Sequence, residues 1–101
     1  MARIPIGRQV IDDMPDLRIY HVRTLMTEQP VELAYKFMPV ENPILSALLD
    51  IPGVNMVELH PYHAVVNKAQ QFEWSEIEPS IKRLFAALQL PLETVVRPDE
   101  F

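Results

Sequence analysis

Ten prolines against two glycines limit what this chain can build. Proline lacks a backbone N–H and holds φ at about −65°, so it is disfavoured inside helices and in central strands. Its positions (5, 15, 30, 39, 43, 52, 61, 79, 91 and 98) cut the chain into short segments. Each element has to fit between two prolines or begin at one.

Residues 1–16 carry Pro5, Pro15 and the acidic pair Asp12-Asp13 without a clear period. They read as a flexible, loosely held N-terminal arm that can add a short edge strand. Leu17 to Leu25 alternates, with Leu17, Ile19 and Leu25 on one face and Tyr20 and Val22 on the other. Its β-branched and aromatic content favours a strand. Val31 to Met38 alternates Val31, Leu33, Tyr35 and Phe37 against Glu32, Ala34 and Lys36, a half-buried strand pattern ended by Pro39. The short loop between these strands predicts that they pair antiparallel.

Asn42-Pro43 is a helix start. Asn caps orphan N–H groups, and Pro at the first helical position loses no internal bond. Ile44, Leu45, Leu48 and Leu49 then share one face, and Ile51-Pro52-Gly53 stops the helix. Val54 to Leu59 and Tyr62 to Lys68 read as a β-hairpin turning at His60-Pro61. From residue 74 to about 89, Trp74, Ile77, Ile81, Leu84, Phe85 and Leu88 form a stripe at helical spacing. Pro79 lies in this window and predicts a mild kink. Residues 91–101 read as a C-terminal tail, leaving a single domain over 17–90. Two amphipathic helices over four strands, in the order β-β-α-β-β-α, predict a small two-layer α+β sandwich. Its antiparallel sheet has about four strands, with both helices on one face.

Composition narrows the chemistry. There is no cysteine, which excludes disulfides, thiol catalysis and cysteine-held zinc or iron–sulfur sites. A cytoplasmic setting is the default expectation. No stretch reaches the roughly 18–20 apolar residues of a membrane span, and the first residues carry no secretory pattern. The net charge of −5 falls entirely on residues 41–101, which hold four bases and nine acids. An acidic surface repels phosphate backbones and steers basic partners, so no nucleic-acid or membrane partner is expected.

Few residues suggest a site. His60-Pro61-Tyr62-His63 sets two imidazoles three apart, and Glu58 is the nearest third ligand for weak iron or zinc binding. The plainer reading is a pair of solvated turn residues. His21 reads as a satisfied sheet histidine. Glu73, Glu76 and Glu78 fit helix capping and solvation better than a catalytic carboxylate cluster. Trp74 fits core burial better than an interface anchor, and the methionines read as packing residues. Two isolated glycines cannot form a phosphate-cradling loop, and no nucleophile elbow is visible. No enzyme and no resident cofactor are expected.

Asn42-Pro43-Ile44-Leu45-Ser46-Ala47-Leu48-Leu49-Asp50-Ile51-Pro52-Gly53-Val54 resembles the "SPLA..LF.IPGV" stretch of the N-terminal domain of Nfu/NifU-type scaffold proteins. Ala64-Val65-Val66-Asn67-Lys68 is similar to the family's "TVTK"-like strand. Trp74, Pro79 and Ile81 are similar to its "W..LKP.I" helix start, and Pro30 with Lys36-Phe37 resembles the end of its "TPNPN..KF" segment. The resemblance spans roughly residues 19–88 and implies a small α/β domain. In that family the cluster sits on a Cys-x-x-Cys motif in a separate domain, which this sequence lacks. His60, Tyr62 and His63 stand where the family has Gly, Asp and Phe. The resemblance implies an accessory module that binds a protein partner, an iron–sulfur assembly component or client. The contact residues are not given by the resemblance; the hairpin turn itself offers His60, Tyr62 and His63.

Overall fold

A short helix that begins at Pro43, a hairpin that turns at Pro61 and a longer helix that runs through Pro79 organise the fold. It is seen in a computed structural model that describes residues 3–4, 8–10, 14–90 and 95–96. The elements are β1 (Arg3–Ile4), β2 (Arg8–Val10), β3 (Leu17–His21), β4 (Glu32–Tyr35), α1 (Pro43–Leu49), β5 (Val54–Leu59), β6 (His63–Lys68), α2 (Trp74–Ala87) and β7 (Val95–Val96). The main sheet is antiparallel throughout, in the order β2-β3-β6-β5-β4, and β1 pairs separately with β7. Both helices lie on one face of that sheet, so the architecture is a two-layer α+β sandwich. Arg8–Val10 supplies the edge strand expected of the N-terminal arm. Apart from β1 and β2, the arm up to residue 13 lies outside the described residues, as does the tail from residue 91 apart from β7.

α1 forms where the caps predict. Asn42 Oδ1 accepts from the N–H groups of Ile44 (2.9 Å) and Leu45 (3.2 Å), and Pro43 occupies the first turn. Gly53 follows in the left-handed region at φ +94°, which lets the chain reverse into β5. α2 runs through Pro79 and buries Trp74, Ile77, Ile81 and Phe85. These close over Tyr20, Val22, Val57, Leu59, Ala64 and Val66 to make the core. The Tyr20 and Phe85 rings meet with centroids 6.2 Å apart.

The expected pairing of the first two long strands does not occur. β3 pairs with β6 and β4 with β5, so the β5–β6 hairpin lies between them. The connection from β3 to β4 instead crosses the hairpin's turn and is tied to it. Val22 N–H donates to Tyr62 O (2.9 Å) and Met26 N–H to Pro61 O (2.8 Å). Connection length alone misleads here, because backbone bonds to a third segment bridge the gap.

The phase of β4 is also the reverse of expectation. Ala34 is buried, whereas Val31, Leu33 and Tyr35 are about half exposed and Phe37 is 97% exposed. The inward residues serve α1. Glu32 Oε2 accepts from Thr27 Oγ1 and from Asn42 Nδ2 beside the start of the helix. Lys36 Nζ donates to the carbonyls of Leu49 (2.6 Å) and Ile51 (3.0 Å) at its end. Acid at the N-terminus and base at the C-terminus suit the helix dipole, and Ala34 leaves room for close packing.

Glu78 departs from the reading of a solvated helix acid. It is buried, and its Oε2 accepts from Arg18 Nη1 and Tyr20 Oη, each at 2.7 Å. The Arg18 guanidinium also lies 4.7 Å over the Trp74 ring. Trp74 is a core residue as expected, and its indole N–H donates to Pro15 O. The methionines divide: Met26 is buried, whereas Met14 and Met38 are about half exposed.

Candidate functional site

The strand register places odd-numbered residues of β3 and β6 on the face that neither helix covers. Two cross-strand ladders run over it: Leu33, Glu58, Val65 and Ile19, then Tyr35, Met56, Asn67 and Leu17. This surface is mainly apolar, with a single carboxylate among these eight side chains. Such a face is the natural place for a sheet to meet a partner.

All three histidines of the chain gather at one end of the same face. His21 and His63 are cross-strand partners with ring centroids 5.5 Å apart. His60 stacks on His63 at 4.1 Å, with the planes only 13° apart. His60 Nε2–H donates to Glu58 Oε1 at 2.6 Å. Of the residues singled out from sequence, His60, His63 and Glu58 therefore come together. Tyr62 stands beside them in the turn, 52% exposed. His21 joins them although sequence reasoning set it aside. The signal was the β3–β6 register, which a single sequence does not reveal.

This cluster does not have the form of a metal centre. Parallel stacked rings do not aim their lone pairs at a common point, and the His60 nitrogen is already bonded to Glu58. Among the described residues there is no group of three or more His, Cys, Asp or Glu side chains able to hold a metal ion. No described helix is long and apolar enough to cross a membrane.

Burial, reinforced by the neighbouring imidazoles of His60 and His21, pushes the His63 pKa below its ordinary value, while Glu58 pulls the other way. The unfolded chain thus takes up this proton before the folded one does. Stability is full above the ordinary histidine value of about 6.5 and declines as pH falls below it, levelling off past the depressed folded value. The urea midpoint is expected to drop between pH 7.5 and 5.5, and a His63→Gln variant to show a flatter profile. Equal slopes in both proteins would exclude His63 as the source.

A second cluster lies at the end of β4. Phe37 adopts φ +73°, a left-handed conformation that costs a bulky residue about 1–3 kcal/mol. Its ring gains no burial in return. Exposed Tyr35 and Met38 flank it. An aromatic held in a strained backbone and presented to solvent is a binding feature more than a packing one. Phe37→Gly is expected to raise stability by about 1 kcal/mol, because glycine accepts this φ without strain. Thermal unfolding checks this, and a lower melting temperature would contradict it.

No protein-family model matches the chain, and no curated protein matches it. Among solved structures, its fold is similar to the crystal structure of protein SAV1430 from Staphylococcus aureus. The TM-score is 0.61 at 14% identity, over 69% of this chain and 84% of that one. A likeness at that identity shows the fold alone.

Proposed function

We propose that this chain is a non-enzymatic protein-interaction module. It resembles the N-terminal domain of iron–sulfur scaffold proteins, holds no cluster of its own, and acts in the cytoplasm. The observation that carries this reading is the sheet face that the helices leave uncovered, apolar across four strands and edged by aromatic and imidazole rings. Contacts at His60, Tyr62 and His63 lie at one end of that face, and Tyr35 and Phe37 at the other. Such rings give large contact area at low cost in side-chain entropy. The resemblance at Ile51-Pro52-Gly53-Val54 and at Trp74, Pro79 and Ile81 supports an iron–sulfur assembly component or client as the partner. Within those stretches Gly53 makes the turn, and Ile51, Val54, Trp74 and Ile81 are core residues.

The test is affinity capture on the full chain, with Val65→Glu as its comparison. Val65 sits half-buried in the centre of the face, so a carboxylate there should block docking without opening the core. An iron–sulfur assembly component or client should be captured by the wild type and reduced at least tenfold by Val65→Glu, with the melting temperature retained. Capture of the same proteins by both forms would overturn the sheet face as the binding surface. Specific capture without any such component would remove the iron–sulfur link.

A further inference from the structure

The open face ends at β4, and that strand has the makings of a docking edge. β5 pairs with it on one side only, since β4 closes the main sheet. The register couples Glu32 to Leu59 and Ala34 to Val57, and Lys36 N–H donates to Asn55 O (2.8 Å). Even-numbered backbone groups therefore face β5, and those of Leu33 and Tyr35 face outward. Among the described residues the Tyr35 N–H meets the Met38 sulfur, at 3.2 Å, a weak acceptor that a carbonyl would displace, while the Tyr35 carbonyl accepts from Met38 N–H at 3.1 Å across the turn.

Natural sheet edges are guarded by lysines, prolines or bulges that prevent strand addition. From Val31 to Tyr35 this edge has none of them. The irregularity in this part of the sheet falls in β5, at Val54/Met56. The outward row of Val31, Leu33, Tyr35 and Phe37 is apolar and exposed instead.

Charge indicates what the edge would accept. At the start of β4 a cavity of about 500 Å³ is lined by Glu28, Glu32 and Glu41, together with Leu25 and Gln29, and no basic side chain lines it. Glu32 is held by Thr27 and Asn42, but neither Glu28 nor Glu41 is ion-paired with a described residue. Lys36, the base of β4's own segment, is committed to the end of α1.

We infer that the free edge of β4 receives an extended segment of a partner protein as an added strand, with a Lys or Arg of that segment facing Glu28 and Glu41. This rests on the interaction-module reading and names the edge and the partner chemistry. Main-chain hydrogen bonds to both backbone groups of Leu33 and to the Tyr35 N–H would supply affinity, and the apolar row and the acidic cavity would supply selectivity. A second copy of the chain is a poorer occupant, because each copy brings a net charge of −5 and the same carboxylates.

The probes are capped octapeptides of alternating valine and threonine, ended by lysine, ended by glutamate, or lysine-ended with a central proline. Each is titrated into isotope-labelled full-length protein. The lysine-ended peptide should shift the amides of residues 31–37. The glutamate-ended peptide should bind at least tenfold more weakly, and the proline-broken one should give no saturable shifts. Leu33→Lys should abolish binding while keeping the remaining amide spectrum. Leu33→Pro, which removes an outward N–H without costing a hydrogen bond to β5, should do the same. Shifts confined to the histidine end, or equal binding of lysine and glutamate forms, would overturn the inference. So would no binding by any peptide, or a concentration-dependent dimer that Leu33→Lys dissolves. Partner capture blocked by Val65→Glu but untouched by Leu33→Lys would remove the edge inference alone. Capture indifferent to both would remove the sheet face as the binding surface as well.

Discussion

Glu78→Ala is expected to lower stability by about 3–5 kcal/mol, the usual cost of breaking a buried ion pair by deleting one member. The loss has two parts. Arg18 would keep its charge in a site where its side chain is only 18% exposed, with no carboxylate to meet it. Arg18 Nε is already buried without a hydrogen-bond partner, so the group has no reserve. Tyr20 would lose the acceptor for a fully buried hydroxyl. Burial, and then the hydrogen bond to Glu78, hold that hydroxyl protonated far above the ordinary tyrosine range. Lys82, 3.8 Å from Glu78 and largely exposed, adds little. The control is the double variant Arg18→Met/Glu78→Leu, which removes both charges and fills their volume. It should lose less than Glu78→Ala does, because no unpaired charge remains. Urea unfolding of the three proteins decides the matter. A loss under about 1 kcal/mol for Glu78→Ala would mean the pair behaves as a surface salt bridge.

That Glu78 reads as a helix-end carboxylate in sequence shows where one-dimensional reasoning stops. Its two partners lie 58 and 60 positions away in the chain. Local signals fared better. The Asn42-Pro43 cap, the Gly53 reversal, the hairpin and the long amphipathic helix all depend on neighbours within a few residues, and all four occur where expected. The order of the six elements from β3 to α2 was readable for the same reason. Strand pairing was not, because the loop from β3 to β4 bonds to the hairpin turn at Pro61 and Tyr62.

β4 is the instructive case. Its period of two was visible, but period does not give phase. Hydrophobicity alone turns Val31, Leu33, Tyr35 and Phe37 inward. The structure turns them outward because Glu32 and Lys36 are needed at the two ends of α1, and Ala34 is small enough to sit under it. The inversion therefore could not be read from the strand without knowing which helix lies on it. The candidate site divides in the same way. The turn residues His60, Tyr62 and His63 could be named from the sequence. His21 and the apolar edge could not, since both depend on register.

The second large effect is expected at Gly53, whose replacement by alanine should cost about 2–5 kcal/mol through two separable causes. The first is backbone strain. At φ +94° a Cβ is disfavoured whatever surrounds it, by about 1–2 kcal/mol. The second is space. A Cβ there would lie 2.8 Å from Phe72 Cγ and 2.9 Å from both Phe72 Cδ1 and Ile77 Cδ1. Overpacking of that kind costs about 1–3 kcal/mol. Ile77 is 1% exposed and packed against the core, so it cannot yield. Phe72 is only partly buried and can move outward. The two causes can be distinguished with Phe72→Ala. If Phe72 supplies part of the clash, Gly53→Ala in that background should lose less than in the wild type, and the remainder should be the φ penalty plus the Ile77 contact. The backbone reversal itself should persist, since Ala69 N–H donates to Gly53 O at 2.8 Å whatever side chain residue 53 carries. Chemical denaturation of the four proteins in this cycle measures the coupling. A Gly53→Ala variant within about 0.5 kcal/mol of wild type, the range of an ordinary surface change, would mean that neither cause operates.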